Sequence, residues 1–229
     1  MEGDGGSFNI RTPRRRLASC RSVSLAPSLP LASDRARWTD RYARALGDPA
    51  APSLVARRAP SAWVVARCLE LPAHHVIVDV AGGDGRHART LAERGRLVVA
   101  VDFVEPAVAA ARAGRPAVLG VVADAGALPF APATLDAVLV TYFLERALFP
   151  HLAALLRPGG ALVAETFTVD HLRLAERGGT PSPRSPDHLL RPGELPALVA
   201  PLEVRAYHEG PVRDEAGERV AAGVVAVKR

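Results

Sequence analysis

Apolar positions in this chain fall into two alternating patterns. His75–Val80, Leu97–Val101, Ala117–Ala123, Asp136–Val140 and Gly160–Thr166 are short apolar runs rich in Val, Leu and Ala. Such runs are expected of parallel strands buried on both faces. Between them, Arg86–Arg94, closed by Gly95, and Leu148–Leu156, stopped by Arg157-Pro158-Gly159-Gly160, read as helices. Strand starts roughly 20–25 residues apart predict an α/β fold with a doubly wound, mostly parallel sheet and helices on both faces. Upstream, Trp38, Tyr42 and Leu46 recur every four residues and predict a helix from Asp34 to Leu46; a second helical region, broken by Pro60, runs to about Glu70. Downstream, Leu202–His208 and Val220–Lys228 predict a closing antiparallel pair.

Charge changes this picture only at the N-terminus. The net charge is +5, but seven arginines in residues 1–37 face only Glu2, Asp4 and Asp34, so the remainder carries about +1. The expected domain, 34–229, is therefore close to neutral and has no phosphate-tracking surface, so no nucleic-acid partner is expected for it. Residues 1–33 hold Gly, Ser, Pro and Arg without apolar periodicity and read as a disordered tail. A transit peptide, a polyanion-binding arm or an upstream start codon are the other readings of that stretch. Hydrophobic residues make up 48% of the chain, enough for a buried core, yet no run reaches the roughly 18–20 residues of a membrane span. Cys20 and Cys68 form no disulfide framework, no metal-ligand spacing is present, and a soluble cytoplasmic protein, monomer or homodimer, is expected.

The candidate chemistry begins after the first strand. Ala81-Gly82-Gly83-Asp84-Gly85 joins that strand to a helix, so the backbone can approach a nucleotide-like ligand closely and the free N–H groups of the helix start face it. Gly83-Asp84-Gly85-Arg86-His87-Ala88 also fits the GxGxxA turn of dinucleotide sites, and the turn alone separates neither cofactor. Asp79, inside the strand just ahead of the glycines, suits the cationic methionine portion of S-adenosylmethionine and would serve a pyrophosphate poorly. Asp102, ending the second strand, can accept two ribose hydroxyls. Asp124, after the third strand and before Ala125 and Leu128-Pro129-Phe130, can accept an adenine amino group. Three successive acids at strand ends cost desolvation unless something bonds them.

Ligands of such sheets sit beyond the carboxyl ends of the strands, which places Thr141, Tyr142, Glu165 and Thr166 at the same crevice. Residues 167–192 follow, with Asp170, His171, Arg173, Glu176, Arg177, Arg184 and His188; a polar excursion there is expected to form a substrate lid.

In this order, Asp79-x-Ala-Gly-Gly-Asp-Gly, Asp102, Asp124-Ala-x-x-Leu-Pro-Phe, Leu135-Asp-Ala-Val and Leu156-Arg-Pro-Gly-Gly resemble the class I SAM-dependent methyltransferases over about residues 36–229. Trp38-Thr-Asp-Arg-Tyr42, Tyr142-Phe-Leu-Glu-Arg, Glu165-Thr-Phe-Thr and Pro186-Asp-His-Leu-Leu are similar to bacterial members associated with tellurite resistance. The resemblance implies a seven-stranded sheet, SAM as cofactor, and a small acceptor such as a thiol or a chalcogen oxyanion. Along the matching motifs it implies Trp38, Tyr42, Asp79, Ala81, Gly83, Gly85, Arg86, Asp102, Phe103, Asp124, Ala125 and Thr141 at the cofactor. Tyr142, Glu145, Glu165 and His171 are the catalytic candidates, and Arg146, Arg173 and Arg184 the substrate ligands. Two departures stand out: Ala81 replaces the first glycine, a change that reads as harmless, and Glu145 stands where a histidine is expected. No Asp- or Asn-Pro-Pro-Tyr run follows the fourth strand, which speaks against amino-group methylation of bases and glutamines.

Two other classes fit part of the pattern. An NAD(P)-dependent oxidoreductase shares Gly83, Gly85 and Asp102 but lacks a Tyr-x-x-x-Lys pair; a non-catalytic SAM-binding module would keep only the cofactor acids.

Overall fold

A computed structural model describes residues 32–47, 59–178, 182–215 and 217–229. Residues 1–31 of the expected tail, and the Gly47-Asp48-Pro49 stop beyond its glycine, lie outside those residues; Ala32 and Ser33, expected in the tail, instead open the first helix. The elements are α1 (Ala32–Gly47), α2 (Ala62–Glu70), β1 (Ile77–Val80), α3 (Arg86–Glu93), β2 (Val98–Asp102), α4 (Glu105–Arg112), β3 (Val118–Val122), β4 (Leu135–Thr141), α5 (Leu148–Leu155), β5 (Leu156–Phe167), α6 (Glu194–Leu198), β6 (Glu203–Asp214) and β7 (Gly217–Val227). They form one seven-stranded sheet in the order β3-β2-β1-β4-β5-β7-β6. Strands β1 to β5 pair in parallel, and β7 runs antiparallel to both β5 and β6.

Alternation along the central strands explains the two-sided core. Val78, Val80, Val138, Val140, Leu162 and Ala164 pack on one face with Phe149 and Leu152 of α5 and Leu195 of α6. Ile77, Ala137, Leu139 and Val163 pack on the other with Val64 and Cys68 of α2 and Leu91 of α3. A strand covered on both faces has no polar side, hence the unbroken apolar runs. Helix α2 starts where Ser61 Oγ accepts the Val64 N–H. At the C-terminus of α5, Lys228 Nζ donates to the carbonyls of Ala153, Ala154 and Leu156 at 3.0, 3.2 and 2.8 Å, satisfying groups the helix leaves open.

Three expectations need correction. Strand β5 starts at Leu156 rather than Gly160, because Leu156 pairs with Leu135 across a register shift directly after α5. The final strands extend to a long hairpin, Glu203–Asp214 with Gly217–Val227; the outer half of β6 alternates partly buried with exposed residues, a weak apolar signal in sequence. The 167–192 excursion is tied down at both ends. Phe167 completes β5, Leu189 and Leu190 are fully buried, and Thr168 bridges Leu190.

Candidate functional site

At the carboxyl end of β1 the chain turns through Ala81 and the glycines into α3. Gly83 holds φ at +59°, and a Cβ there would strike the Tyr42 hydroxyl; a Cβ on Gly82 would lie 2.9 Å from the Asp79 carboxyl. Glycine is thus required at 83 by both conformation and space. Ala81 sits at φ +54° without that freedom, a left-handed alanine costing roughly 1–2 kcal/mol. Replacement of the first glycine therefore carries a strain that the sequence did not show.

Two acids fix this turn. Asp102 accepts the N–H of Gly83 at 2.9 Å and of Val104 at 3.0 Å, which ties the tip of β2 to the turn. Burial raises its pKa, and those backbone donors pull it part of the way back. Asp79 is fully buried, and neither of its oxygens makes a hydrogen bond of ordinary geometry among the described residues. Its carboxyl is pushed up to about 7, by burial first; Arg86 and the Ala88 N–H oppose the rise, and Asp102 and Asp84 add to it. A buried carboxyl this poorly satisfied sits beneath a turn stripped of side chains, as a cradle for a cationic ligand requires. Asp124 bonds the Gly126 N–H at 2.8 Å and starts the short 3₁₀ turn that contains Ala125.

Helix α1 closes over this edge. Tyr42 is buried with Phe103, Val104 and Ala107, and Trp38, partly exposed, lies 6.1 Å from its ring. Burial raises the Tyr42 pKa, and Asp102 and Asp84 raise it further, so its hydroxyl stays protonated over the glycine turn. The acids, glycines and N-terminal aromatics expected at the cofactor, apart from Asp124 and Ala125 further along the edge, are thus brought together around one turn.

A second cluster lies at the ends of β4 and β5. Glu165 is fully buried. Its Oε1 accepts the Tyr142 hydroxyl at 2.6 Å and Arg219 at 3.2 Å; its Oε2 accepts Ser61 Oγ at 3.0 Å and His208 Nε2 at 3.3 Å. A carboxylate only accepts here, so His208 carries its proton on Nε2. Burial alone would raise the Glu165 pKa, but hydrogen bonds from His208 and Tyr142, the Arg219 charge and the Ser61 hydroxyl lower it overall. Arg219 is shared with Asp214 at 2.7 and 3.0 Å.

His87, the residue after Arg86, completes the frame. Its Nε2 accepts the Ser61 N–H at 3.1 Å, so Nδ1 bears the proton directed at Thr141 Oγ1, 3.2 Å away. Burial lowers its pKa to about 3, keeping the ring neutral. Tyr142 sits at φ +55°, an uncommon backbone for a bulky residue and one often found at functional sites. Its ring is covered by the Arg86 guanidinium at 4.7 Å and lies 4.8 Å from Phe167, which stacks on His171 at 4.5 Å. Arg86 thus joins the two clusters.

His171 is buried, and its Nδ1 accepts the Val220 N–H at 3.2 Å. The remaining expected residues lie elsewhere. Glu145 accepts the Ala147 N–H. Arg146 is clamped to Glu194 at 2.7 Å and to the carbonyls of Asp187 and Leu189, and so pins the 167–192 segment instead of offering itself to a substrate. Arg173 is mostly exposed beside Asp170 at 3.3 Å, and Arg184 is exposed. Ser61, His87, His208, Asp214 and Arg219 were not expected at the site. Sequence offered little signal for them: Arg219, for one, follows Glu218 at the polar start of β7, ahead of the apolar run from Val220.

The comparisons bear on both clusters. Residues 77–160 match the family described as a methyltransferase domain. That stretch runs from β1 into β5 and holds the glycine turn, Asp102 and Asp124. A demethylmenaquinone methyltransferase of Clavibacter sepedonicus is 36% identical over 51% of this chain and 51% of its own length; the chain spans about half the length of such relatives. Among solved structures, a SAM-dependent methyltransferase of Methanosarcina mazei matches with a TM-score of 0.58 and 19% identity, over 71% of this chain and 96% of that one. A chain from the Haloferax volcanii complex between the Trm112 methyltransferase activator and a methyltransferase matches with a TM-score of 0.58 and 17% identity, over 85% and 96%. At those identities the solved structures carry the fold alone. The match to a methyltransferase domain implies SAM as the cofactor, and the cradle at Asp79, Gly82 and Gly83 fits it. Among the described residues no helix is long and apolar enough to cross a membrane.

Proposed function

We propose that this chain transfers the methyl group of S-adenosylmethionine to a small-molecule acceptor by direct in-line displacement. The observation that carries this reading is the side-chain-free turn at Gly82 and Gly83, seated on buried Asp79, tied to Asp102 and covered by Tyr42. Asp79 and the N-terminus of α3 would hold the amino-acid end of the cofactor, Asp102 its ribose and Asp124 its adenine. When bound, SAM supplies a methyl group already activated by the sulfonium. What is left to the protein is placement of the nucleophile about 3 Å from that carbon, with water excluded; orientation of this kind supplies about 7–11 kcal/mol.

The wall formed by Tyr142, Phe167 and His171, joined to the cofactor turn through Arg86, would hold the acceptor. Stacked aromatic faces suit a planar ring, in keeping with relatives named for demethylmenaquinone. A thiol or chalcogen oxyanion, the acceptor suggested by the tellurite-type likeness, is less well served, since Arg146 and Arg219 are committed to carboxylates and Arg173 and Arg184 stand at the surface. His171 remains the candidate for taking up a proton, and α1 with residues 167–192 would flank the bound pair.

Calorimetry with SAM, S-adenosylhomocysteine and NADH tests the cofactor: binding of the first two without the third is expected, and NADH binding without SAM would overturn it. A methyl-transfer screen over quinols, phenols, thiols, selenite and tellurite then tests catalysis. SAM binding without transfer to any of them would favour a non-catalytic module.

A further inference from the structure

The acceptor wall contains one hydrogen bond whose direction is fixed by its surroundings. Glu165 receives Tyr142 and Arg219 on one oxygen and Ser61 and His208 on the other. A carboxylate so surrounded is ionised and has no proton to offer, so the Tyr142 hydroxyl must give its own to Oε1 at 2.6 Å. The phenolic oxygen is then left with lone pairs alone. Its ring is partly exposed at the end of β4, held by a left-handed backbone between Arg86 and Phe167.

We propose that Tyr142 selects the protonation state of the methyl acceptor: it recognises a molecule that brings a donor hydrogen, a hydroxyl, thiol or N–H, and disfavours the same molecule as an anion. Glu165 is the positioning residue that sets this polarity, with Arg219, Ser61 and His208 as its frame. The inference rests on the methyltransferase reading and deepens it.

The charged and titratable groups around Tyr142 leave that polarity intact. From β7, Arg219 is divided between Glu165 and Asp214. From α3, Arg86 acts on the cofactor-side acids Asp79 and Asp84, and His87 is neutral. From β6, His208 donates to Glu165, and from the segment after β5, His171 stacks on Phe167. Neither guanidinium is left to an anionic acceptor alone.

The test uses 4-nitrophenol, whose neutral and anionic forms absorb differently, titrated with pH in the presence of the full chain carrying S-adenosylhomocysteine. In the wild type the pKa of the bound probe should rise by at least one unit, which is a tenfold or greater preference for the neutral form. Tyr142→Phe should shrink that rise to the part due to burial alone. Glu165→Leu removes the acceptor of the Tyr142 proton and frees that proton for the probe, so the probe's pKa should move down instead. A structural role for Glu165 would weaken binding without reversing the shift. Tighter binding of the nitrophenolate by the wild type, an unchanged shift in Tyr142→Phe, or no binding of either form would each overturn the proposal. If Glu165→Leu does not fold, Tyr142→Phe decides. Failure to bind S-adenosylhomocysteine would strike the methyltransferase reading itself, which keeps the two failures apart.

Discussion

The two halves of the crevice are built on opposite principles. At the cofactor edge, strand-end acids meet backbone: Asp102 bonds two main-chain N–H groups, and Asp79 is left without an ordinary hydrogen bond. At the acceptor wall, side chains meet side chains, and every oxygen of Glu165 is taken by donors from α2's cap, β4, β6 and β7. The first half keeps a buried carboxyl with few donors, whereas the second is saturated by its own side chains. An unsatisfied buried charge is stabilised when its partner binds, while a saturated network gives rigid geometry at little net gain in stability. On the proposed reading, affinity would be concentrated at one edge and orientation at the other.

The contrast breaks most visibly at Arg219. Arg219→Met leaves buried Glu165 and half-buried Asp214 without that cation and should destabilise the fold by about 3–5 kcal/mol, read from thermal or denaturant unfolding. A loss below about 1 kcal/mol would mean that the network is not the rigid frame described. Next in size, Asp102→Ala should weaken SAM binding by about 1.5–3 kcal/mol for each charge-assisted bond lost, measured by calorimetry. Its melting temperature should fall less than that of Arg219→Met, and the reverse order would merge the two halves into one.

Asp79 sharpens the comparison through pH. Its folded-state pKa of about 7 lies above the ordinary 3.8, so between those values the folded chain holds more protons than the unfolded one. This group therefore lowers the stability of the ligand-free protein as pH rises from about 4 through 7. Asp79→Asn should remove that slope and raise the melting temperature at neutral pH by a few degrees, while reducing SAM affinity. An unchanged slope would show that Asp79 is satisfied after all.

The smallest effects concern strain and surface. Ala81→Gly should gain up to about 1 kcal/mol, left-handed strain relieved less the entropy of glycine. Arg173→Ala, which disrupts only an exposed pair with Asp170, should shift stability by less than about 0.5 kcal/mol.

The cofactor edge was legible in sequence because each of its parts is local. An apolar run, an acid, a glycine turn and a helix start follow one another within Ile77–Glu93, and their spacing is imposed by one βα unit. Asp102 and Asp124 repeat the logic at the next two strands. The sheet order was legible for a related reason, since alternating runs leave few unknotted ways to bury both faces. Tyr142 and Glu165 were legible as positions, being strand ends, but not as partners.

What the chain's own pattern determined, then, is the doubly wound sheet and the strand–turn–helix edge at Gly82–Gly85, both fixed by backbone geometry that short segments encode. Tertiary structure alone decided the network around Glu165: Ser61, His87, Tyr142, Glu165, His208, Asp214 and Arg219 come from six separate stretches of chain, and no periodicity relates them. It also decided that Arg146 would pin the 167–192 segment, and that Ala81 would be strained. Burial makes the difference: a carboxylate inside a protein must find its donors wherever the fold brings them, and that choice is written in space and not in spacing.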